Sequence, residues 1–210
     1  MIKVRNLKYK YRRSHSLILQ DVSFDVKEGE IVALMGKNGS GKSTIGRLVS
    51  GIIKPQKNQV FVDGIDVGMK KNYKDIFAKV GIVFQNPETQ IIFNNVHDEL
   101  KFALGKRANV EGVVNKVLEQ VGMANCKDNL WDFSLGQKQR IVLAEILARE
   151  PNYLILDEPT TMIDPAGKHE IWKIIRNLKL QGIGILLITN SNEEASIADR
   201  IIMLRDGNIE

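Results

Sequence analysis

The chain has 210 residues, 43% of them hydrophobic, which is enough for one domain with a substantial core, alone or with a small helical insert. Its apolar runs, such as Ile183 to Thr189, are too short to cross a membrane, and Met1-Ile2-Lys3 opens no signal peptide. The single cysteine, Cys126, cannot form an internal disulfide, and no Cys/His cluster has metal-ligand spacing. These features point to the cytosol.

The net charge of +5 comes from 30 basic and 25 acidic residues that are spread along the chain. Short basic runs occur at Lys8–Arg13 and Lys70–Lys74. Such runs would suit a nucleic-acid surface, but no second nucleic-acid motif accompanies them, so a solvated face is the favoured interpretation. We therefore expect no nucleic-acid partner.

The first third of the chain predicts strands and then a phosphate-binding turn. Strands are expected over Ile2–Tyr11 and Val22–Val26, where the alternation of the second indicates a small antiparallel β layer. The run Ile31–Met35 has no polar alternation, which is typical of a parallel strand buried on both faces. The segment Gly36–Thr44 follows it directly.

This segment, Gly36-Lys37-Asn38-Gly39-Ser40-Gly41-Lys42-Ser43-Thr44, matches the phosphate-loop pattern G-x-x-x-x-G-K-[ST]. Its glycines permit the sharp turns that point backbone amides at a phosphate. Lys42 supplies a positive charge for the β- and γ-phosphates, and Ser43 is placed to ligate Mg²⁺ at the start of a helix over Ser43–Ser50. The alternative is a chance match in an ordinary loop, which the preceding strand and the following helix disfavour.

The rest of the chain predicts an α/β fold with a helical insertion. After strands at Val60–Val62 and Lys79–Phe84 the pattern becomes helical, so residues 86–149 are expected to form a subdomain inserted between core segments 1–85 and 150–210 of a single domain. Buried strands then alternate with helices, which predicts a mostly parallel sheet. The further predicted helices are Asn95–Gly105, Val110–Val121, Ser134–Arg149, Pro165–Leu180 and Asn192–Ala198, and the further strands are Tyr153–Leu156, Ile183–Ile188 and Arg200–Leu204.

Two acidic residues follow the buried strand Tyr153–Leu156. An acid at the tip of such a strand reaches a Mg²⁺ ion held by the phosphate loop, and the next carboxylate polarises a water molecule. Asp157 is therefore the candidate metal residue and Glu158 the candidate catalytic base.

The segment Phe133–Arg140 places a serine, a glycine and a glutamine at the start of a helix. The amides and the positive dipole end of a helix N-terminus form an anion site. The plainer interpretation is that Ser134 is only an N-cap.

Taken in order, these motifs resemble the ATP-binding cassette (ABC) ATPases, which belong to the P-loop NTPases. The resemblance covers essentially the whole chain and rests on five stretches: Gly36–Thr44, Gln85, Ser134–Arg140, Leu154–Glu158 and Thr161–Asp164. It implies an ATP hydrolase whose subunits dimerise head to tail and trap ATP and Mg²⁺ between the phosphate loop of one and the signature helix of the other.

The resemblance also implies roles for single residues. Lys42 and Glu158 would be catalytic, with Gln85 touching Mg²⁺ and sensing the γ-phosphate. Tyr11 would stack on the adenine, although core packing suits it nearly as well. The signature residues that act on the partner's nucleotide would be Ser134, Leu135, Gly136 and Gln137, and Asp164 would link the two sites.

The stretch Gln85–Gln90 resembles more particularly the cassettes of energy-coupling-factor importers, which take up vitamins and metal ions. In that subgroup a transmembrane subunit docks after the glutamine, here near residues 86–100. The resemblance implies a peripheral protein on the cytoplasmic face of the cell membrane. Importers of the subgroup commonly extend beyond the position of Glu210. Either the given sequence is part of a longer protein, or the ATP-bound contact is the main subunit interface.

Two residues depart from the family pattern. Asn190 stands where the family has a histidine that contacts the γ-phosphate, and His15, His97 and His169 lie elsewhere in the sequence. Asparagine donates a hydrogen bond but carries no positive charge. Leu135 replaces the first glycine of the signature and puts a branched side chain where a backbone should approach phosphate. We therefore expect an asymmetric heterodimer with a paralogous cassette.

Two other interpretations stay open. A regulatory half-site that binds ATP but hydrolyses little of it would fit Asn190 and Leu135. A DNA-repair cassette would require a long coiled coil between the two halves of the ATPase, and the interval between Gln85 and Ser134 has room for only two or three short helices.

Overall fold

Apolar runs form the strands of the chain, and amphipathic runs form its helices. The computed structural model describes residues 1–12, 14, 16–105, 109–124, 126 and 129–210. The strands are β1 Ile2–Tyr9, β2 Leu19–Val26, β3 Ile31–Met35, β4 Val60–Val62, β5 Ile65–Asp66, β6 Val80–Val83, β7 Tyr153–Asp157, β8 Gly184–Thr189, β9 Arg200–Arg205 and β10 Asn208–Ile209. The helices are α1 Lys42–Val49, α2 Tyr73–Lys79, α3 Val96–Leu104, α4 Val110–Gln120, α5 Leu135–Leu147, α6 Pro165–Leu180 and α7 Asn192–Ala195. Short 3₁₀ turns cover Lys70–Asn72, Pro87–Thr89 and Leu130–Asp132.

All ten strands belong to one sheet in the order β5-β4-β1-β2-β10-β9-β3-β8-β7-β6. The five strands from β9 to β6 are parallel, and every residue of β3, β7 and β8 is buried. The strands β5, β4, β1 and β2 pair antiparallel. The predicted parallel core and antiparallel β layer are both confirmed, and β10 joins them by pairing with β2 and β9.

Helix α1 packs between the two parts of the sheet. Its residues Ile45, Leu48 and Val49 are fully buried in a cluster with side chains from β1, β2 and β4 on one side and from β7 and β8 on the other. A second cluster joins α3, α4 and α5 to α6 and to the opposite side of β7 and β8. The phosphate-loop helix therefore has little freedom to move relative to the strand tips around it.

The structure differs from the predicted elements mainly at their ends and in short segments. The first strand ends at Tyr9 instead of Tyr11, the helix after Ser134 ends at Leu147, and the last helix ends at Ala195. Helix α2 and strands β5 and β10 were not predicted. Strands of two residues carry no periodicity, and α2 directly abuts β6, which conceals the boundary between them.

Within the described ranges no helix is both long and apolar enough to span a bilayer. His97 pairs with Glu111 at 2.7 Å, and the ring of His169 packs edge-on against Trp172. Neither histidine therefore takes the place of the family's histidine beside Asn190. Two residues named above lie outside the described ranges: His15, and Arg13 at the end of the first basic run.

Candidate nucleotide-binding site

The turn after β3 requires glycines because the chain passes very close to its neighbours. A Cβ atom on Gly36 would lie 2.3 Å from the Leu204 carbonyl oxygen, and one on Gly41 would lie 2.8 Å from Leu19. Gly39 and Gly41 also have φ values of +82° and +107°, which L side chains rarely adopt. The loop leads directly into α1, whose first-turn N–H groups have no intrahelical partners.

Lys42 and Ser43 connect this loop to the tip of β7. The Lys42 ammonium donates to the Gly36 and Lys37 carbonyls at 2.7 and 3.1 Å, which holds it beneath the loop. The Ser43 hydroxyl donates to Asp157 at 3.0 Å. Burial raises the pKa of the Asp157 carboxyl, although the hydrogen bond from Ser43 opposes this effect.

Glu158 follows Asp157 in an unusual backbone conformation, with φ at +50°. Its N–H donates to the Ile188 carbonyl at 2.8 Å, which extends the pairing of β7 with β8 by one residue. One oxygen of its carboxylate accepts hydrogen bonds from the Gln85 amide at 3.2 Å and the Thr161 hydroxyl at 3.1 Å. Left-handed non-glycine residues of this kind are costly and concentrate at functional sites.

Asn190 lies at the end of β8, beside the phosphate loop. Its side-chain amide donates to the side-chain oxygen of Asn38 at 3.2 Å. The structure therefore brings four separately predicted features together, namely the loop, the β7 acids, Gln85 and Asn190.

The phosphate loop, Gln85 and Glu158 line an open groove of about 300 Å³. Ile18 also lines it, and nothing in the sequence marked this residue, because one apolar side chain in a loop has no pattern. The hydroxyls of Tyr11 and Thr44 lie 3.2 Å apart, and the Tyr11 ring packs edge-on against Tyr9. The described residues that line the groove are Ile18, Asn38, Gly39, Gly41, Lys42, Ser43, Thr44, Gln85 and Glu158.

Ser40 lies on the other side of the loop. Together with Gly36 and Leu204 it lines a second cavity, and its buried hydroxyl has no hydrogen-bond partner in the described part of the chain. Only its backbone, which donates to the Lys37 carbonyl at 3.1 Å, takes part in the loop's own hydrogen bonding.

Ser134 and Gln137 form a reciprocal capping box at the start of α5. The Ser134 hydroxyl accepts from the Gln137 N–H at 3.2 Å, and the Gln137 side chain accepts from the Ser134 N–H at 2.9 Å. Leu135 is half-buried, and a Cβ on the buried Gly136 would lie 3.1 Å from Ile163. None of the described groove-lining residues belongs to Ser134–Gln137.

Asp164 caps the next helix in a similar way. Its carboxylate accepts from the Gly167 N–H at 3.0 Å and begins α6. Asp164 is exposed, as are the neighbouring Thr161 and Met162, whereas Ile163 between them is buried against Gly136.

The sequence profile of the ABC transporter family matches residues 19–161, from β2 through the turn that carries Glu158 and Thr161. The chain belongs to the ABC transporter family. This confirms the resemblance on which the sequence-based interpretation rested, together with its α/β cassette fold. As an ABC cassette the chain binds ATP and hydrolyses it in connection with transport.

Named relatives narrow the comparison within the ABC family. The chain is 42% identical to the energy-coupling factor transporter ATP-binding protein EcfA1 of Lacticaseibacillus paracasei, covering 100% of this chain and 77% of the relative. It is 39% identical to EcfA of Syntrophomonas wolfei, with 100% and 79% coverage.

Two solved ABC structures have the same fold. The cbiO1 protein of Clostridium perfringens, part of the ABC transporter complex cbiONQ, superimposes with a TM-score of 0.91 at 30% identity, covering all of this chain and 86% of that one. The cassette MJ0796, solved as a dimer with ADP and phosphate, gives 0.88 at 26% identity, with 100% and 97% coverage.

Proposed function

We propose that this ABC cassette is an ATPase subunit of an energy-coupling-factor importer and acts as one half of a head-to-tail pair. The observation that carries the proposal is that the phosphate-binding residues and the signature residues of this chain lie at separate places. The phosphate loop, Gln85 and Glu158 line one groove, and Asp157 and Asn190 are hydrogen-bonded to its lining residues Ser43 and Asn38. The signature residues of the same chain cap α5 outside this groove. A signature helix from a second subunit would complete the groove.

Mg²⁺ fits the residues at the loop. Ser43 and Asp157 already lie 3.0 Å apart, and Gln85 reaches the same region through Glu158. Mg²⁺ usually takes only a few ligands from the protein and the rest from phosphates and water. Ser43, Asp157 and Gln85 would therefore hold it. When bound, it would neutralise charge that develops on the phosphates.

Glu158 is the proposed base for the hydrolytic step. Gln85 and Thr161 fix one of its carboxylate oxygens, which orients the carboxylate toward the groove as a proton acceptor for water. Lys42 would leave the Gly36 and Lys37 carbonyls to meet the β- and γ-phosphates. The loop amides and the N-terminus of α1 would bind the remaining phosphate oxygens. Tyr11 would stack on the adenine beside Ile18.

The pair is proposed to be asymmetric, with a paralogous cassette as the partner. Asn190 donates to Asn38 and offers no cationic group at the position of the family's histidine. Leu135 places a branched side chain at the N-terminus of α5, where a phosphate would approach. Both residues support a cassette that hydrolyses slowly alone, so the favoured second candidate is a regulatory half-site that holds ATP.

Pairing is tested by the dependence of Mg²⁺-ATP hydrolysis on protein concentration, with sedimentation in parallel. A composite site predicts that activity per subunit rises as the chain dimerises, or on addition of a paralogous cassette that carries the Leu-Ser-Gly-Gly-Gln signature. Activity per subunit that is constant while the protein sediments as a monomer would contradict the proposal.

The transmembrane partner is proposed to dock by a helix in the groove between residues 86–100 and the turn at Leu130–Asp132. Its walls carry the exposed side chains of Ile92 and Trp131, which are 63% and 66% exposed. Glu88 at its edge pairs at 2.6 Å with the nearly buried Lys138 of α5. The groove therefore adjoins both the segment after Gln85 and the signature helix. A transmembrane subunit bound there would contact the two elements that respond to ATP.

The docking groove is already shaped by hydrogen bonds from the half-buried Gln90 and the buried Glu99. The Gln90 side chain accepts from the Phe84 N–H at 2.7 Å and donates to the Ile82 carbonyl at 3.1 Å. Glu99, 1% exposed, accepts from the N–H groups of Ile92 and Phe93 at 3.0 and 2.6 Å. A helix that binds here would meet a preformed surface.

Docking is tested with Trp131→Ala in the complex assembled with the transmembrane component of the Lacticaseibacillus paracasei transporter. Loss of this large apolar contact should weaken assembly at least 10-fold, as for a central aromatic at an interface. Leu180→Ala is the matched control, because Leu180 is 82% exposed at the far end of α6. Equal assembly of the two variants would contradict this site. Uptake of a vitamin or metal ion, and attachment to the cytoplasmic face of the membrane, are proposed from the resemblance of Gln85–Gln90 to energy-coupling-factor importers.

A further inference from the structure

A buried carboxylate lies behind the groove and belongs to none of the proposed catalytic or binding groups. Glu194 of α7 is 1% exposed, and its carboxylate accepts a hydrogen bond from the Thr160 hydroxyl at 2.7 Å. Thr160 is 3% exposed and lies two residues after Glu158. A buried acid is costly unless it is hydrogen-bonded, so this contact constrains both partners strongly.

On one side of this contact is the turn that carries Glu158. The Thr161 hydroxyl holds the Glu158 carboxylate at 3.1 Å, and the Ile163 N–H donates to the Thr160 carbonyl at 3.1 Å. Since Glu158 has a strained backbone, its position depends on contacts that fix the residues after it.

On the other side is the turn that carries Asn190. Ser191 caps α7 by accepting from the Glu194 N–H at 3.3 Å, and its own N–H donates to Thr189 at 3.0 Å. Asn190 in turn donates to Asn38 of the phosphate loop. The phosphate loop is thus linked to Asn190 by a hydrogen bond, and Ser191, the next residue in the chain, is linked through Glu194 and Thr160 to the Glu158 turn.

We propose that Glu194 is a positioning residue for ATP hydrolysis, which holds the Glu158 turn against the Asn190 turn through Thr160. This inference rests on the proposed role of Glu158. Loss of the contact would let the two turns move apart without removing any group that touches the nucleotide. The hydrolytic step would therefore slow while ATP binding stayed nearly constant.

The test compares steady-state hydrolysis by three purified variants of this chain, Glu194→Ala, Glu194→Gln and Thr160→Val. Glu194→Ala and Thr160→Val should lower kcat roughly 10- to 100-fold, because displacements of about 1 Å cost that much in an oriented site. KM for ATP should change less than 3-fold. Glu194→Gln retains the acceptor oxygen and should keep most of the wild-type kcat. The neighbouring Glu193 is exposed, so Glu193→Ala is the matched control and should behave like wild type.

Amide hydrogen exchange gives a readout that does not require turnover. Glu194→Ala should speed exchange in residues 158–161 and 189–192 together, and Glu194→Gln should restore protection. Exchange that increases only within α7, or a kcat of Glu194→Ala equal to that of Glu193→Ala, would overturn the inference. Wild-type activity in Glu158→Gln would instead overturn the proposed function of Glu158, whatever the Glu194 variants show.

Discussion

At the residue scale, Glu158 is the group on which the proposed chemistry depends. Its carboxylate is held by Gln85 and Thr161, and Asp157 beside it is held by Ser43. The two neighbouring acids therefore have different surroundings: Asp157 is buried against the Ser43 hydroxyl, and Glu158 is half-buried at the groove. This division matches a metal ligand and a base.

We expect Glu158→Gln to lower kcat by about 10²-fold or more, because general acid–base catalysis usually contributes about 10²- to 10⁴-fold. ATP binding should persist, because the loop and Lys42 are unchanged. The measurement is single-turnover hydrolysis with nucleotide affinity determined in parallel. Retained hydrolysis with normal affinity would show that another group activates the water.

Asp63, remote from the groove, provides a stability prediction. Burial alone would raise the pKa of its carboxyl, but hydrogen bonds from Lys79, the N-terminal amine and Tyr153 lower it to about 2 from 3.8. A depressed carboxyl pKa contributes stability that is complete above the unfolded value of 3.8 and is lost as the pH falls through about 2.

Asp63→Asn should therefore be less stable than wild type at pH 5 to 7, and the difference should shrink steadily below pH 4. Urea unfolding across this pH range measures it. Asp206→Asn is a suitable control, since the Asp206 side chain is 92% exposed. A gap between wild type and Asp63→Asn that does not change with pH would contradict the assignment.

At the element scale, α5 combines a structural and a proposed binding role at one end. Ser134 and Gln137 cap the helix through mutual hydrogen bonds, so Ser134 is an N-cap, as its plainer interpretation predicts. We propose that the same helix N-terminus is also an anion site for a nucleotide held by a second subunit. Substitutions that separate capping from anion binding therefore test the second role.

We expect Ser134→Ala to lose about 1 kcal/mol of stability, the usual effect of removing an N-cap, and to lose function in the assembled pair. Ser134→Asp retains a good cap but places a negative charge where phosphate would lie. It should keep wild-type stability in urea and still abolish ATP-dependent pairing. Normal pairing of Ser134→Asp would contradict a phosphate-facing signature.

Much of this element-level arrangement follows from the sequence. The loop glycines, the buried strand before them and the acids after Leu156 were predicted because glycine spacing and unbroken apolar runs are local signals. Helix α2 and the two-residue strands were missed because short segments carry no period. Ile18 and the Glu194–Thr160 contact were not predictable, since they depend on which distant elements become neighbours in the sheet order.

At the scale of the whole molecule, the ten-stranded sheet determines what the cassette can do alone. The sheet packs around α1 so that the turns after β3 and β7 line one groove and the end of β8 contacts the phosphate loop beside it, while α5 begins outside that groove. The single chain thus holds a phosphate site and a signature helix that do not meet. An importer would use ATP to bring two such chains together.

The central claim is that this chain binds ATP but hydrolyses it slowly by itself, because Asn190 replaces a charged group. The most direct test measures Mg²⁺-ATP hydrolysis by the purified chain and by Asn190→His, with nucleotide affinity measured for both. We predict similar ATP affinity and a rate for Asn190→His about 10²-fold higher, the lower end of the range of about 10²- to 10³-fold that one charge-stabilising donor contributes. Fast hydrolysis by the wild type that Asn190→His leaves unchanged would contradict the claim.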